Sequence, residues 1–239
     1  MRILITNDDG VGSASLAPLV RFARRFGEVT VVAPKYEQSG KSQAIEFFRE
    51  IEIKKIMIAS DVEVFSMDST PADCVRYAVL GRGEHFDLVI SGINRGLNLG
   101  RDLVYSGTAG AIFEAGRLGL RGVALSTPPT DFAPALEKLE AIFDYFEKNH
   151  LFEHNDLYNV NIPLESAGFR ITRLGGIFYT DDFLHIGNDI YIQEGHPVET
   201  EETSLDYDIK AVQSGYISIT PITAERTQMD VFRKLKKFI

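Results

Sequence analysis

Tryptophan is absent and cysteine occurs once, as Cys74, among 239 residues. One thiol excludes an internal disulfide framework and any multi-cysteine metal centre within one chain. Positive charge is also scarce: 25 Lys and Arg stand against 34 Asp and Glu, for a formal net charge of −9. That balance repels polyanions, so neither a nucleic acid polymer nor an anionic membrane is an expected partner. A phosphorylated small molecule would need positive charge supplied locally. Long hydrophobic runs are missing too. Met1-Arg2 precedes only three apolar residues before Thr6, too few for a signal peptide, and no run reaches transmembrane length. A cytoplasmic location is the expectation. What is present, 44% hydrophobic residues, suffices for one sizeable core.

Three apolar segments of the first half end in polar, glycine-containing loops: Ile3 to Thr6, Val29 to Ala33 and Asp87 to Ile90. Each reads as a strand buried on both faces. Between the first two, Leu16, Leu19, Val20, Ala23 and Phe26 recur at helical spacing, and Gly27 stands where a helix should stop. Thr70-Pro71-Ala72-Asp73 predicts a further helix start, with Thr70 as cap and Asp73 reaching back as in a capping box. Another helix is expected from near Thr108 to before Gly119, a strand over Val123 to Ser126, and a helix over Phe132 to Phe146. Alternating β and α elements predict a Rossmann-like α/β body, mainly a parallel sheet with flanking helices, over residues 1–150. Residues 151–239 read as a β-hairpin-rich extension, through "LYNVNIP", "FRITRL", "IFYT", "DIYIQE" and "GYISITPI". Its acidic run "VETEETSLDYD" reads as a solvated loop and "AERTQMDVFRKLKKFI" as a closing helix. The whole chain is expected to be one domain.

Open parallel sheets bind ligands outside the carboxyl ends of their strands. The loops there carry Asn7-Asp8-Asp9, then Ser39-Gly40-Lys41, then Asn94-Arg95-Gly96-Leu97-Asn98. Two carboxylates, a hydroxyl and an amide carbonyl are hard oxygen donors that suit Mg²⁺, Mn²⁺ or Ca²⁺ rather than zinc. A divalent cation would relieve the repulsion between Asp8 and Asp9; an isolated Asn-Asp-Asp-Gly also reads simply as a polar turn. Ser106-Gly107-Thr108 opens a helix, where free N–H groups and the dipole attract an anion, although Ser106 or Thr108 could equally be a plain cap. Arg95, Arg101 and Lys41 could add positive charge. Other chemistries fail on spacing. Gly40-Lys41-Ser42 lacks the first P-loop glycine, which would fall at Lys35. Ser15 replaces the third glycine of a dinucleotide fingerprint after Gly10 and Gly12. Leu80 stands where a cysteine phosphatase built on Cys74 needs arginine, and no G-x-S-x-G elbow occurs.

The pieces "ILITNDDG", "VVAP" with "QSG", "STPADCV", "SGINRGLNLG", "YSGTAGAIFEA" and "DIKAVQSGYISITPI" span most of the chain in order. Together they resemble the SurE (survival protein E) family of metal-dependent 5'/3'-nucleotidases. The resemblance implies hydrolysis of nucleoside 5'- or 3'-monophosphates to nucleoside and phosphate, with short polyphosphate taken by some members. It implies one divalent cation per subunit, Mg²⁺ or Mn²⁺ with Co²⁺ or Ca²⁺ as alternatives, held by Asp8, Asp9, Ser39 and Asn94. Asp8, Asp9 and Asn94 would carry catalysis, and Gly40, Asn98, Ser106, Gly107 and Thr108 would bind substrate phosphate. It also implies a homodimer or homotetramer with exchanged C-terminal elements. Ser42, Gln43 and Glu46 depart from residues common in the family and bear on substrate preference. A noncatalytic nucleotide-binding module using the same crevice is the alternative.

Overall fold

The structure is a computed structural model that describes residues 1–57 and 62–238. Strand β1 (Arg2–Thr6) is flanked by β2 (Glu28–Pro34) and β5 (Leu88–Arg95), with all three parallel. Beyond β2 lie β4 (Glu63–Met67), parallel to it, and β3 (Ile53–Ile56), an antiparallel edge. On the other side follow β6 (Arg121–Thr127) and β7 (Leu157–Asn161), both parallel, then β11 (Ile217–Ile222), antiparallel, and β8 (Phe169–Ile171). These nine described strands form one sheet, so much of the expected extension continues the body's own sheet.

Side-chain alternation explains why the strands read as unbroken apolar runs. Ile3, Ile5, Val31 and Ile90 enter a core beneath helices α1 (Leu16–Ala23) and α4 (Ala133–Lys148). Leu4, Val32 and Val89 face the opposite way, beneath α2 (Pro71–Arg76) and α3 (Gly107–Arg117). Cys74 belongs to this second core, where burial pushes its thiol well above the usual range and leaves it unreactive.

Several expectations need correction. β3 and β4 are additional strands, as are the short helices α5 (Leu151–His154) and α6 (Asp208–Gln213). Thr70 caps α2 by accepting from the Asp73 N–H at 3.2 Å, but Asp73 does not complete a capping box. Its carboxylate instead accepts from the Ser69 hydroxyl (2.6 Å) and the Glu46 N–H (2.8 Å), pinning the loop that follows β2. "IFYT" is not a strand, because the N–H groups of Phe178 and Tyr179 are taken by the Asp102 carboxylate at 2.7 and 2.9 Å. The acidic run is not simply a solvated loop: Asp208 is fully buried at the start of α6. The closing helix, α7, spans only Met229–Leu235 and is followed by one short turn; Ile239 lies outside the described residues.

Strands β9 (Asp182–Gly187) and β10 (Ile190–Glu194) form a separate antiparallel hairpin. Asn188 and Asp189 at its tip both adopt positive φ, 51° and 57°, as a tight right-twisted hairpin turn requires. Phe183, Leu184, Ile186, Ile190, Tyr191 and Ile192 are all exposed. Among the described residues no helix is long and apolar enough to cross a membrane.

Candidate active site

The loops after β1, β2 and β5 meet above the centre of the sheet around a cavity of about 490 Å³. Asp8, Ser39, Gly40, Asn94, Arg95, Asn98 and Ser106 line it, together with Tyr105, Tyr179, Asp181 and Gln193, which motif reading did not pick out. Asp9, Gly107 and Thr108 are not among its lining residues; Gly107 and Thr108 contact Asp8, and the half-buried Asp9 accepts from the Arg95 N–H. Lys41 and Arg101 do not line it; Arg95 does, although it is also exposed and its Nε donates to the Pro129 carbonyl at 2.9 Å.

The turn that presents the carboxylates is closed by Asn7. Its side chain accepts from the Gly10 N–H and donates to the Gly10 carbonyl, both at 3.0 Å, an arrangement in which an Asx side chain mimics backbone. The Asp8 carbonyl accepts from the Gln38 N–H at 2.7 Å, and Asp9 Oδ2 accepts from the Arg95 N–H at 3.2 Å. The three loops are therefore fastened to one another through the two aspartates.

Asp8 is 4% exposed. Burial raises its pKa from 3.8 to about 6, opposed by hydrogen bonds from Thr108 and reinforced by the neighbouring Asp9 charge. Thr108 Oγ1 donates to Asp8 Oδ1 at 2.6 Å. Ser106 is the true N-cap of α3, accepting from the Ala109 N–H at 3.0 Å, which leaves Thr108 to serve Asp8. The N-terminus of the eleven-residue helix α3 thus abuts a buried carboxylate, a favourable end for negative charge. Asp9 is half-buried and its pKa is likewise raised, first by burial.

Gly107 permits this contact. A Cβ there would fall 2.9 Å from Asp8 Cβ and 3.2 Å from the Gln38 carbonyl. Gly107→Ala is expected to push the helix start off Asp8 and lower turnover about 10- to 100-fold, since a misplacement near 1 Å has that effect. Steady-state kinetics beside a melting curve would separate this from unfolding.

The donor set suits a hard cation. Asn94 Nδ2 donates to the Gly96 carbonyl at 2.8 Å, which orients the amide and leaves Oδ1 as its free ligand atom. Ser39 Oγ donates to Glu37 at 2.7 Å and keeps its lone pairs. Asp8 and Asp9 complete two carboxylates, a hydroxyl and an amide. Among the described residues no group of three or more His, Cys, Asp or Glu is gathered.

Motif reading missed the partners of Asn98. Its N–H donates to Asn161 Oδ1 (2.8 Å), its carbonyl accepts from Asn159 and Asn161 (2.8 and 2.9 Å), and its Nδ2 donates to Ser126 Oγ (2.8 Å). The signal was two amides two positions apart in the otherwise apolar "LYNVNIP". Asp208, which opens the quoted "DIKAVQSGYISITPI", was given no role by the motif; its carboxylate accepts from Gly100 (2.8 Å), Gly175 (2.7 Å) and its neighbour Ile209 (2.8 Å). Gly100 ends the Asn98 loop with φ 57°, and a Cβ there would lie 2.1 Å from the Gly176 carbonyl.

The family model described as "Survival protein SurE" matches residues 3–181. A protein of Thermoanaerobacter sp. (strain X514) named 5'-nucleotidase SurE is 35% identical over 248 aligned residues, covering 100% of this chain and 98% of that protein. One of the same name from Syntrophomonas wolfei is 36% identical over 249, covering 99% and 94%. The crystal structure of the SurE protein from Aquifex aeolicus superposes with a TM-score of 0.79 at 30% identity, covering 100% of this chain and 99% of that one.

Proposed function

Because the chain belongs to the SurE family, with residues 3–181 matched by its model, we propose that it is a phosphomonoesterase that converts nucleoside 5'- or 3'-monophosphates to nucleoside and phosphate. The observation that carries this reading is Asp8: a buried carboxylate at the end of the interior strand β1, on the wall of a 490 Å³ cavity, facing the N-terminus of α3. The relatives' shared name, 5'-nucleotidase SurE, agrees with it.

Asp8, Asp9, Ser39 and Asn94 would hold one divalent cation per subunit, Mg²⁺ or Mn²⁺ first, Co²⁺ or Ca²⁺ as alternatives. Such an ion supplies positive charge to the phosphoryl group and to the attacking water. This chain's own residues do the rest. Gly40, Asn98 and Ser106 line the cavity and would meet the other phosphoryl oxygens. Backbone N–H groups at Gly107 and Thr108 bring the positive end of α3 to bear on developing charge. Asp9, in reach of solvent, is assigned to orient or deprotonate the water. Asp8 and Ser39 are assigned to the cation and Ser106 caps α3, so direct attack by water is preferred to a phosphoenzyme.

The single domain is read as a body (1–150) carrying the site and an extension (151–239) serving assembly. An isolated two-stranded hairpin is marginal in water, yet β9 and β10 expose apolar residues on both faces, as α7 exposes Val231, Phe232 and Leu235. This favours a homodimer or homotetramer with exchanged C-terminal elements.

Phosphate release from a panel of nucleoside monophosphates and tripolyphosphate, after chelation and then addition of single metals, tests the reading. The expected result is metal-dependent turnover of nucleoside monophosphates. Stoichiometric binding without turnover would make the noncatalytic alternative the better one.

A further inference from the structure

We propose that Asn159 and Asn161 are positioning residues that lock Asn98 into the phosphate end of the cavity. The proposal rests on the reading that Asn98 serves phosphate there. Asn98 lies in a stretch without regular structure, between Gly96 (φ 148°) and Gly100 (φ 57°). Glycines at both ends give this backbone many conformations, and only tertiary bonds can select one.

Those bonds come from one strand. Asn159 and Asn161 are two apart on β7 and so project from the same face. Asn161 makes a reciprocal pair with the Asn98 backbone, accepting its N–H at 2.8 Å and donating to its carbonyl at 2.9 Å. Asn159 donates to the same carbonyl at 2.8 Å. Ser126, paired with Asn161 across the sheet, receives the Asn98 side chain at 2.8 Å. Asn98 Nδ2 also stands 3.5 Å from Thr108 Oγ1, which donates to Asp8. The anchor on β7 therefore reaches within two side chains of the buried carboxylate.

Fold stability does not account for these amides. Asparagine is disfavoured in strands, and both are fully buried. Asn159 Oδ1 has no hydrogen-bond partner among the described residues, a costly state for a buried carbonyl. An apolar residue at 159 would suit the core better. A residue that stands against its local preference points to a functional constraint, and here the visible gain is the donor to Asn98.

The test uses Asn159→Leu and Asn161→Leu in the full chain. Four quantities are read: hydrolysis of a nucleoside monophosphate at saturating Mn²⁺, Mn²⁺ affinity by titration, melting temperature, and hydrogen exchange at the Asn98 amide. In both variants kcat is expected to fall about 10- to 100-fold while KM and Mn²⁺ affinity stay within about threefold, because geometry is loosened and no ligand is lost. Asn159→Leu is expected to melt no lower than the parent. Exchange at Asn98 should quicken about tenfold or more, with the Val160 amide unchanged. A kcat within about twofold of the parent in both variants would overturn the proposal. Unchanged exchange at Asn98, or an activity loss in Asn159→Leu that tracks a lower melting temperature, would overturn it too. Should Asn161→Leu fail to fold, Asn159→Leu decides alone. A parent protein that releases no phosphate would defeat the hydrolase reading, while the exchange experiment would still decide the anchoring.

Discussion

Asp8→Asn is expected to lower kcat on the order of 10³-fold at saturating substrate, because the site would lose several kcal/mol of transition-state charge stabilisation. The same substitution has a second, opposite effect on the metal-free protein. Burial raises the Asp8 pKa from 3.8 to about 6, so the folded state holds the proton more tightly than the unfolded chain does. Its stabilising contribution is fully present below about pH 4 and is lost as pH rises through about 6. That difference, about two pKa values, corresponds to roughly 3 kcal/mol. Asp9 and Asp208 also have raised pKa values, so the informative quantity is the difference between parent and variant. In chelator, that stability difference should swing toward Asp8→Asn between pH 4 and 7. Denaturant unfolding across that range would measure it, and a pH-independent difference would contradict the assignment. Added Mn²⁺ should raise the melting temperature of the parent more at pH 7.5 than at pH 5, where protons compete, and should leave the variant almost unmoved.

The second large effect concerns Asp208, far in sequence from every residue proposed to touch substrate. Its carboxylate satisfies the N–H groups of Gly100, Gly175 and Ile209. Asp208→Ala would leave three buried or partly buried donors unpaired, at about 1–3 kcal/mol each where water cannot enter. A loss of about 3 kcal/mol or more would lower the melting temperature by roughly 6–12 °C for a chain of this size. Because Gly100 ends the Asn98 loop, the fall in kcat should exceed what the unfolded fraction explains. Activity measured 20 °C or so below the melting transition separates the two.

Much of the body was legible because its physics is local. β1, β2, β5 and β6 announce themselves as apolar runs broken by polar loops, and the rule that ligands sit at strand ends brings Asp8, Ser39 and Asn94 together. β4 was hidden because "EVFSM" mixes Glu63 and Ser66 into a buried strand, and β3 because "IKKI" is an exposed edge. Asp208 was absorbed into an acidic run, since nothing in its neighbours reveals three backbone donors arriving from residues 100, 175 and 209. Asn159 and Asn161 passed as ordinary strand residues for the same reason: what makes them unusual is the loop they meet, 61 to 63 positions away.

The interior position of β1, between β2 and β5, carries a kinetic consequence. Asp8 becomes a site only when β1 has acquired β2 on one side and β5, more than 80 residues downstream, on the other. Pairings that distant are closed slowly, after local helices have formed. The proposed cation centre is therefore a late product of refolding, and a nascent chain released before β5 would carry Asp8 and Asp9 without the residues proposed to complete it.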